Sequence, residues 1–205
     1  ALDNMGVIYR NLGQLDLAAQ TFERSLELAR TIGHSFHEAL SLANLGELAT
    51  ERGQPEAGLP LLQQSLAEFT TLNDQPNIIY STLLLGEAEL RLGRLEAAHD
   101  YADRALALCE KAGAAGISQL REKVRVHRLM AAILRLNGNL ERSQGYLGEC
   151  LEMLQDQTCR WSASGRCTNW HARSRHRGRR PTLCWPRARR SNWPRKPGPG
   201  ANSRA

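Results

Sequence analysis

NMGVIYRNLGQL at residues 4–15, NLGELATERGQP at 44–55 and LLGEAELRLGRL at 84–95 are one pattern written three times. Aligned without a gap, they set Gly6, Gly46 and Gly86 at intervals of 40 residues, and Gly13, Gly53 and Gly93 at the same interval. A fourth copy, LMAAILRLNGNL at 129–140, follows after a step of 45, with Ala131 in the place of the first glycine and Gly138 in that of the second. Self-similarity at a period of roughly 20–50 residues marks a repeat architecture, in which each copy is one supersecondary unit.

The two glycines do different work. The second closes an apolar pattern of helical period, such as Leu42, Leu45, Leu48 and Ala49, and a new pattern begins after it at Leu15, Leu95 or Leu140. A glycine just past a helix end adopts the left-handed cap at little steric cost. At Gly53 the next helix opens instead through QPEAG, with Pro55 in its first turn. The first glycine stands in mid-helix, where it costs about 1 kcal/mol relative to Ala. Its recurrence therefore needs a packing reason, and the second helix of each unit offers small residues in matching places: Ala18, Gly58, Ala98 and Ser143. The expectation is small-on-small contact between two antiparallel helices.

These residues carry a resemblance to the tetratricopeptide repeat. The signature places are filled by Leu2, Met5, Gly6, Tyr9, Gly13, Ala18, Phe22 and Ser25 in the first unit, and by Leu42, Leu45, Gly46, Ala49, Gly53, Gly58, Leu62 and Ser65 in the second. The third has Thr82, Leu85, Gly86, Glu89, Gly93, Ala98, Ala102 and Ala105; the most divergent, the fourth, has His127, Met130, Ala131, Leu134, Gly138, Ser143, Leu147 and Cys150. The resemblance implies an all-α, right-handed solenoid of four antiparallel helix pairs over residues 1–157, in units of approximately 1–34, 35–75, 76–116 and 117–157. An extended second helix, seen in LELARTIGHSFHEA, separates it from the 34-residue form and is similar to the long repeats of bacterial signalling and transcription-regulatory proteins.

Such an array implies a protein or peptide partner held on the concave face lined by the first helices. By register that face takes Asn4, Val7 and Asn11 from the first unit, and Ala43, Asn44, Glu47 and Glu51 from the second. The third contributes Tyr80, Leu83, Leu84, Glu87 and Arg91, and the fourth Arg125, Arg128, Ala132 and Arg135. In family members that hold an extended peptide, an Asn at the place of Asn4 and Asn44 contacts the peptide backbone, since an amide both donates and accepts. A solvated consensus position is the plainer reading of the same two residues. The basic residues that grip a carboxylate in chaperone-tail binders are not supported by this sequence: Tyr80 and Leu84 stand at those places of the third helix, and the first helix is cut before its residue. Arg121, Arg125, Arg128 and Arg135 gather on one helix face, either to receive an acidic segment or as a solvated surface.

No phosphate loop, paired-carboxylate site or Ser/His/Asp grouping stands out, so neither an enzyme nor a cofactor is expected. His34, His37, His99 and His127 are scattered among the units and do not complete a metal site. There is no run of apolar residues long enough to span a membrane and no signal-peptide pattern at the start. The first residues read as the interior of a helix, which is expected of a fragment of a longer protein. Five Cys at irregular spacing suit a reducing, cytoplasmic setting.

Charge divides the chain at residue 157. The first part holds 14 Lys and Arg against all 21 acids, a net −7; residues 158–205 hold 13 cations and no acid. That tail also holds all four Trp and five of the eight Pro, with a single Leu, and is expected to be disordered. Its Cys159, Cys167, His171, His176 and Cys184 are too loosely spaced for a zinc site. As a basic arm it would bind nucleic acid by releasing counterions, and this is the alternative function. Twelve of the thirteen cations are Arg, however, and the composition is that of GC-rich DNA read out of frame. The genetic code makes the point locally. Asn169-Trp170-His171, Cys184-Trp185-Pro186 and Asn192-Trp193-Pro194 each conceal Leu-Ala in another frame, the dipeptide the repeat helices use at Leu28-Ala29 and Leu42-Ala43. We expect the coding DNA beyond codon 157 to continue the repeat pattern in that frame; early stop codons there, or no repeat, would overturn the expectation.

Overall fold

The computed structural model describes residues 2–111 and 117–162. The described residues form eight helices: α1 (Leu2–Asn11), α2 (Leu15–Thr31), α3 (Ser35–Glu51), α4 (Pro55–Thr71), α5 (Gln75–Arg91), α6 (Leu95–Lys111), α7 (Ile117–Leu136) and α8 (Leu140–Ser162). They pair antiparallel in chain order into an all-helical solenoid. α8 runs on to Ser162, while the compact unit that holds the array ends at Thr158, beside the expected boundary at residue 157. The zinc-type residues beyond Cys159 and the other expectations for the tail lie outside the described residues.

The helix ends form as the glycines foretell. Gly13 has φ +73°; its amide donates to the Arg10 carbonyl, and that of Gln14 to the Tyr9 carbonyl, both at 2.9 Å. The pair of bonds satisfies carbonyls that a helix end leaves without partners. It recurs at Gly53, Gly93 and Gly138, and closes the second helices at Gly33 and at Asn73, a non-glycine with φ +54°. Two of the following helices start on side-chain caps, Asp74 accepting from the Asn77 amide at 3.1 Å and Asn139 from the Arg142 amide at 3.2 Å, whereas Gln14 and Gln54 before α2 and α4 supply none.

Packing is organised between units as much as within them. Ala18 and Phe22 of α2 close on Leu48 of α3. Leu62 of α4 closes on Leu84, Leu85 and Ala88 of α5. Ala98, Ala102, Ala105 and Cys109 of α6 close on Val126, Leu129, Met130 and Ile133 of α7. Each cluster joins the second helix of one unit to the first helix of the next, and in doing so sets the first helices side by side: α1 touches α3, α3 touches α5 and α5 touches α7.

The mid-helix glycines are close-approach sites, though small meets small at only some of them. A Cβ on Gly58 would lie 2.7 Å from the Gly46 carbonyl oxygen, and one on Gly46 would lie 2.6 Å from Leu62 Cγ. At Gly6 the neighbour is the Phe22 ring, not Ala18. At Gly86 it is chiefly Leu129 of the following unit, with the Ala98 carbonyl behind it at 3.5 Å. At Ala131 the small partner supplies a hydrogen bond, Ser143 Oγ donating to the Ala131 carbonyl at 2.8 Å. The glycine therefore makes room for whatever side chain the neighbouring helix brings. In urea unfolding Gly58→Ala should destabilise the array by about 1–3 kcal/mol through backbone overlap. Gly148→Ala in α8, where nothing lies within 4 Å, should stabilise it by about 0.5–1 kcal/mol.

Candidate functional site

With the first helices side by side, residues at one register position meet across units. Glu47 and Glu87 are 40 residues apart and lie on neighbouring helices; Tyr80 and Arg125 share a position 45 apart. The buried Glu47 carboxylate is the hub. Its Oε2 accepts from Arg10 of α1 and from the Tyr80 hydroxyl of α5 at 2.6 Å, and its Oε1 accepts from Arg125 Nη2 of α7 at 3.1 Å. The same Arg125 nitrogen donates to Glu87 at 2.9 Å, and the guanidinium stands 5.6 Å from the Tyr80 ring centroid. One carboxylate thus draws on all four units.

Charge at this hub is settled by competition between burial and neighbours. Burial alone would raise the Glu47 carboxyl, but Arg10 and Arg125, with the Tyr80 hydrogen bond, hold it below the usual carboxylate range. For Glu87 and Glu51 burial wins, and both carboxyls are raised. Burial and the adjacent Glu47 charge push the Tyr80 phenol up. Burial works against the charges of Arg10 and Arg125, yet the carboxylates beside them keep both firmly protonated. One turn before Arg125, Glu122 is raised by burial and keeps one buried oxygen without a hydrogen-bond partner.

Beside the hub is a cavity of about 350 Å3, open on the face formed by α3, α5 and α7. Glu47, Thr50 and Glu51 line it from α3, Leu84, Glu87, Leu90 and Arg91 from α5, and Arg125, Arg128, Leu129 and Ala132 from α7. Arg91 and Arg128 are exposed and enter no ion pair among the described residues, whereas Arg125 is spent internally.

The structure brings together Glu47, Glu51, Tyr80, Glu87, Arg91, Arg125 and Arg128, with Leu84 and Ala132 beside them. It does not bring the rest. Asn4 and Asn11 are exposed on α1, and Val7 packs against the Ala18–Phe22–Leu48 cluster. Asn44 is buried, unlike Asn4 at the same register, and Ala43 lies in the core. Leu83 is fully buried with Ala98 and Val126, so it is core and not open face. Arg135 is exposed outside the cavity lining. Arg10, Thr50, Leu90 and Leu129 went unread; Arg10, three residues after Val7, was within reach of a full helical count of that face. His34 and His37 serve a helix start, the ring of His34 accepting from the His37 amide at 3.4 Å, with His37 3.4 Å from Asp3. Among the described residues no group of three His, Cys, Asp or Glu side chains is placed to hold a metal, and no helix is long and apolar enough to cross a membrane.

The tetratricopeptide repeat model matches residues 1–67 and again 37–111. Among solved structures, BtubC (BKLC) from P. vanneervenii overlays with a TM-score of 0.63 at 16% identity, covering 95% of this chain and 69% of that one. Two MamA structures, each 16% identical, give TM-scores of 0.39 and 0.40; they cover 75% and 77% of this chain and 96% and 92% of theirs. No curated protein matches.

Glu47→Gln should cost roughly 2–4 kcal/mol at neutral pH, because two partly buried guanidinium groups lose their shared counter-charge. Tyr80→Phe should cost about 1–2 kcal/mol. The depressed Glu47 carboxyl contributes stability above its unfolded-chain value, which is lost as pH falls through the lower folded value. Glu51 and Glu87 have the opposite sign: their contribution is present at low pH and lost as pH rises through their raised values. Urea unfolding should therefore show the Glu47→Gln deficit shrinking as pH falls through and below about 4.

Proposed function

Because the chain belongs to the tetratricopeptide repeat family, a family of non-catalytic protein-interaction scaffolds, we propose that its partner is a peptide or protein segment seated on the face of α3, α5 and α7. The observation that carries this is the cavity in which Leu84, Leu90 and Leu129 offer apolar wall while Arg91 and Arg128 hold unpaired charge. That chemistry suits an acidic segment with an apolar anchor: the anchor fills the cavity and a carboxylate meets the arginines. The volume accommodates a few side chains, so the remainder of the segment lies along the helices. LELARTIGHSFHEA is not one extended second helix but the end of α2, the Gly33 turn and the start of α3. The long form of the repeat, with first and second helices such as α3 and α4 alike at 17 residues, supports a place in a cytoplasmic bacterial signalling or transcription-regulatory protein.

A basic arm acting on nucleic acid is the second reading, and the thirteen cations after residue 157 favour it. One set of measurements separates the two. Peptides selected on the 205-residue chain from a displayed random library should be enriched in Asp and Glu. Arg91→Glu with Arg128→Glu should weaken the best of them by tenfold or more, roughly the worth of one charge-assisted contact. A chain ending at residue 157 should bind the peptide as before and lose only a salt-sensitive retention of nucleic acid. Peptide binding unchanged by the double charge reversal would sink the reading.

A further inference from the structure

The charges lining the cavity of α3, α5 and α7 balance: Glu47, Glu51 and Glu87 bring three carboxylates, and Arg91, Arg125 and Arg128 three guanidinium groups. Internal pairing does not consume them evenly. Arg125 is shared by Glu47 and Glu87 at 3.1 and 2.9 Å, which leaves α5 and α7 with Arg91 and Arg128 as cations that enter no ion pair among the described residues. On α3 the charge left over is an acid. The Glu51 side chain is 41% exposed, and its one ion contact among the described residues is Arg10 Nε at 4.0 Å, on a guanidinium already committed to Glu47. Glu51 and Arg91 hold the same register position, 40 residues apart on adjacent helices, yet among the described residues they do not pair with each other. Burial, helped by the nearby Glu47 and Glu87 charges, raises the Glu51 carboxyl more than Arg10 and Arg125 lower it, so this acid is short of compensating charge.

A segment that answered the arginines alone would carry its acids in beside three carboxylates. Like charges repel more strongly against protein walls than in open water, so acid is unfavourable on the α3 side of the cavity. Resting on the reading that a peptide segment occupies this face, we propose that the segment is bipolar: its acid lies over α5 and α7 at Arg91 and Arg128, its apolar anchor in the cavity, and a Lys or Arg over α3 at Glu51. The same arrangement fixes which way round the segment lies. Reversed, it would set its cation against the two arginines and its acid against Glu51, and charges opposed in this way fix register and reject wrong partners. A segment of balanced charge therefore fits better than a uniformly acidic one, which would satisfy α5 and α7 and leave Glu51 both crowded and uncompensated.

Peptides selected on the 205-residue chain from the displayed random library test this. They should align on one apolar position, with Asp or Glu on one side of it and Lys or Arg on the other, always in the same order. In the best of them, replacing the base by Gln should weaken binding roughly three- to tenfold, between the worth of an exposed ion pair and that of a charge-assisted hydrogen bond. Glu51→Gln should weaken the parent peptide by the same factor and leave the base-to-Gln peptide almost unaffected, because each change removes the same contact. Glu51→Lys should bind a peptide whose base is replaced by Glu better than it binds the parent. Glu23→Gln, on an exposed side chain of α2 outside the cavity, should change nothing. The peptide substitution leaves the protein intact, so it reads the contact even where a Glu51 variant loses helicity. Selected peptides with acids but no base at a fixed place, additive losses from the two Gln substitutions, or an equal loss from Glu23→Gln would each overturn the bipolar segment and leave the acidic one standing. Peptides without acid enrichment, or indifferent to Arg91→Glu with Arg128→Glu, would remove the underlying reading and the bipolar segment with it.

Discussion

A helix pair in this protein cannot cover its own apolar surface, and everything else in the array follows from that. Leu48, Leu85 and Ile133 leave their own units to pack on the second helix of the unit before. A buried Leu or Phe side chain contributes about 1.5–3 kcal/mol, so the clusters between units outweigh any single polar contact. The contact also transmits geometry. Once Leu48 is seated against Phe22 and Ala18, α1 and α3 lie side by side, and their exposed faces are fixed with respect to each other. The close approach of Gly46 and Gly58 acts in the same way within a unit, where a single added methyl group would force the helices apart.

The Glu47 hub is a consequence of that geometry more than a cause of it. Taking two guanidinium groups and a carboxylate out of water costs several kcal/mol per ion, and their attraction roughly offsets it. Such a cluster adds little net stability over well-packed apolar residues. What it supplies is selectivity of register, because a shift of one helical turn along any first helix would strand a buried charge. It also decides which charges face outward. Arg125 is consumed by Glu47 and Glu87, and Arg10 by Glu47, whereas Arg91 and Arg128 are left to the open cavity.

Units, helix ends and the paired architecture were legible in the sequence because glycine spacing and helical period are local signals. Sorting the first-helix residues into partner-facing and core was less so. Leu83 counts onto the open face by position, but α5 is flanked by α6 and α7, and they enclose it. Asn4 and Asn44 share a register, yet α3 has a first helix on either side of it where α1 touches one alone, and Asn44 is buried. Gly86 was expected to meet Ala98 of its own unit, and Leu129 of the next unit and Tyr101 come closer than the Ala98 carbonyl does. In each case period states which way a side chain points from its own axis, and the distance to a neighbouring helix decides what covers it.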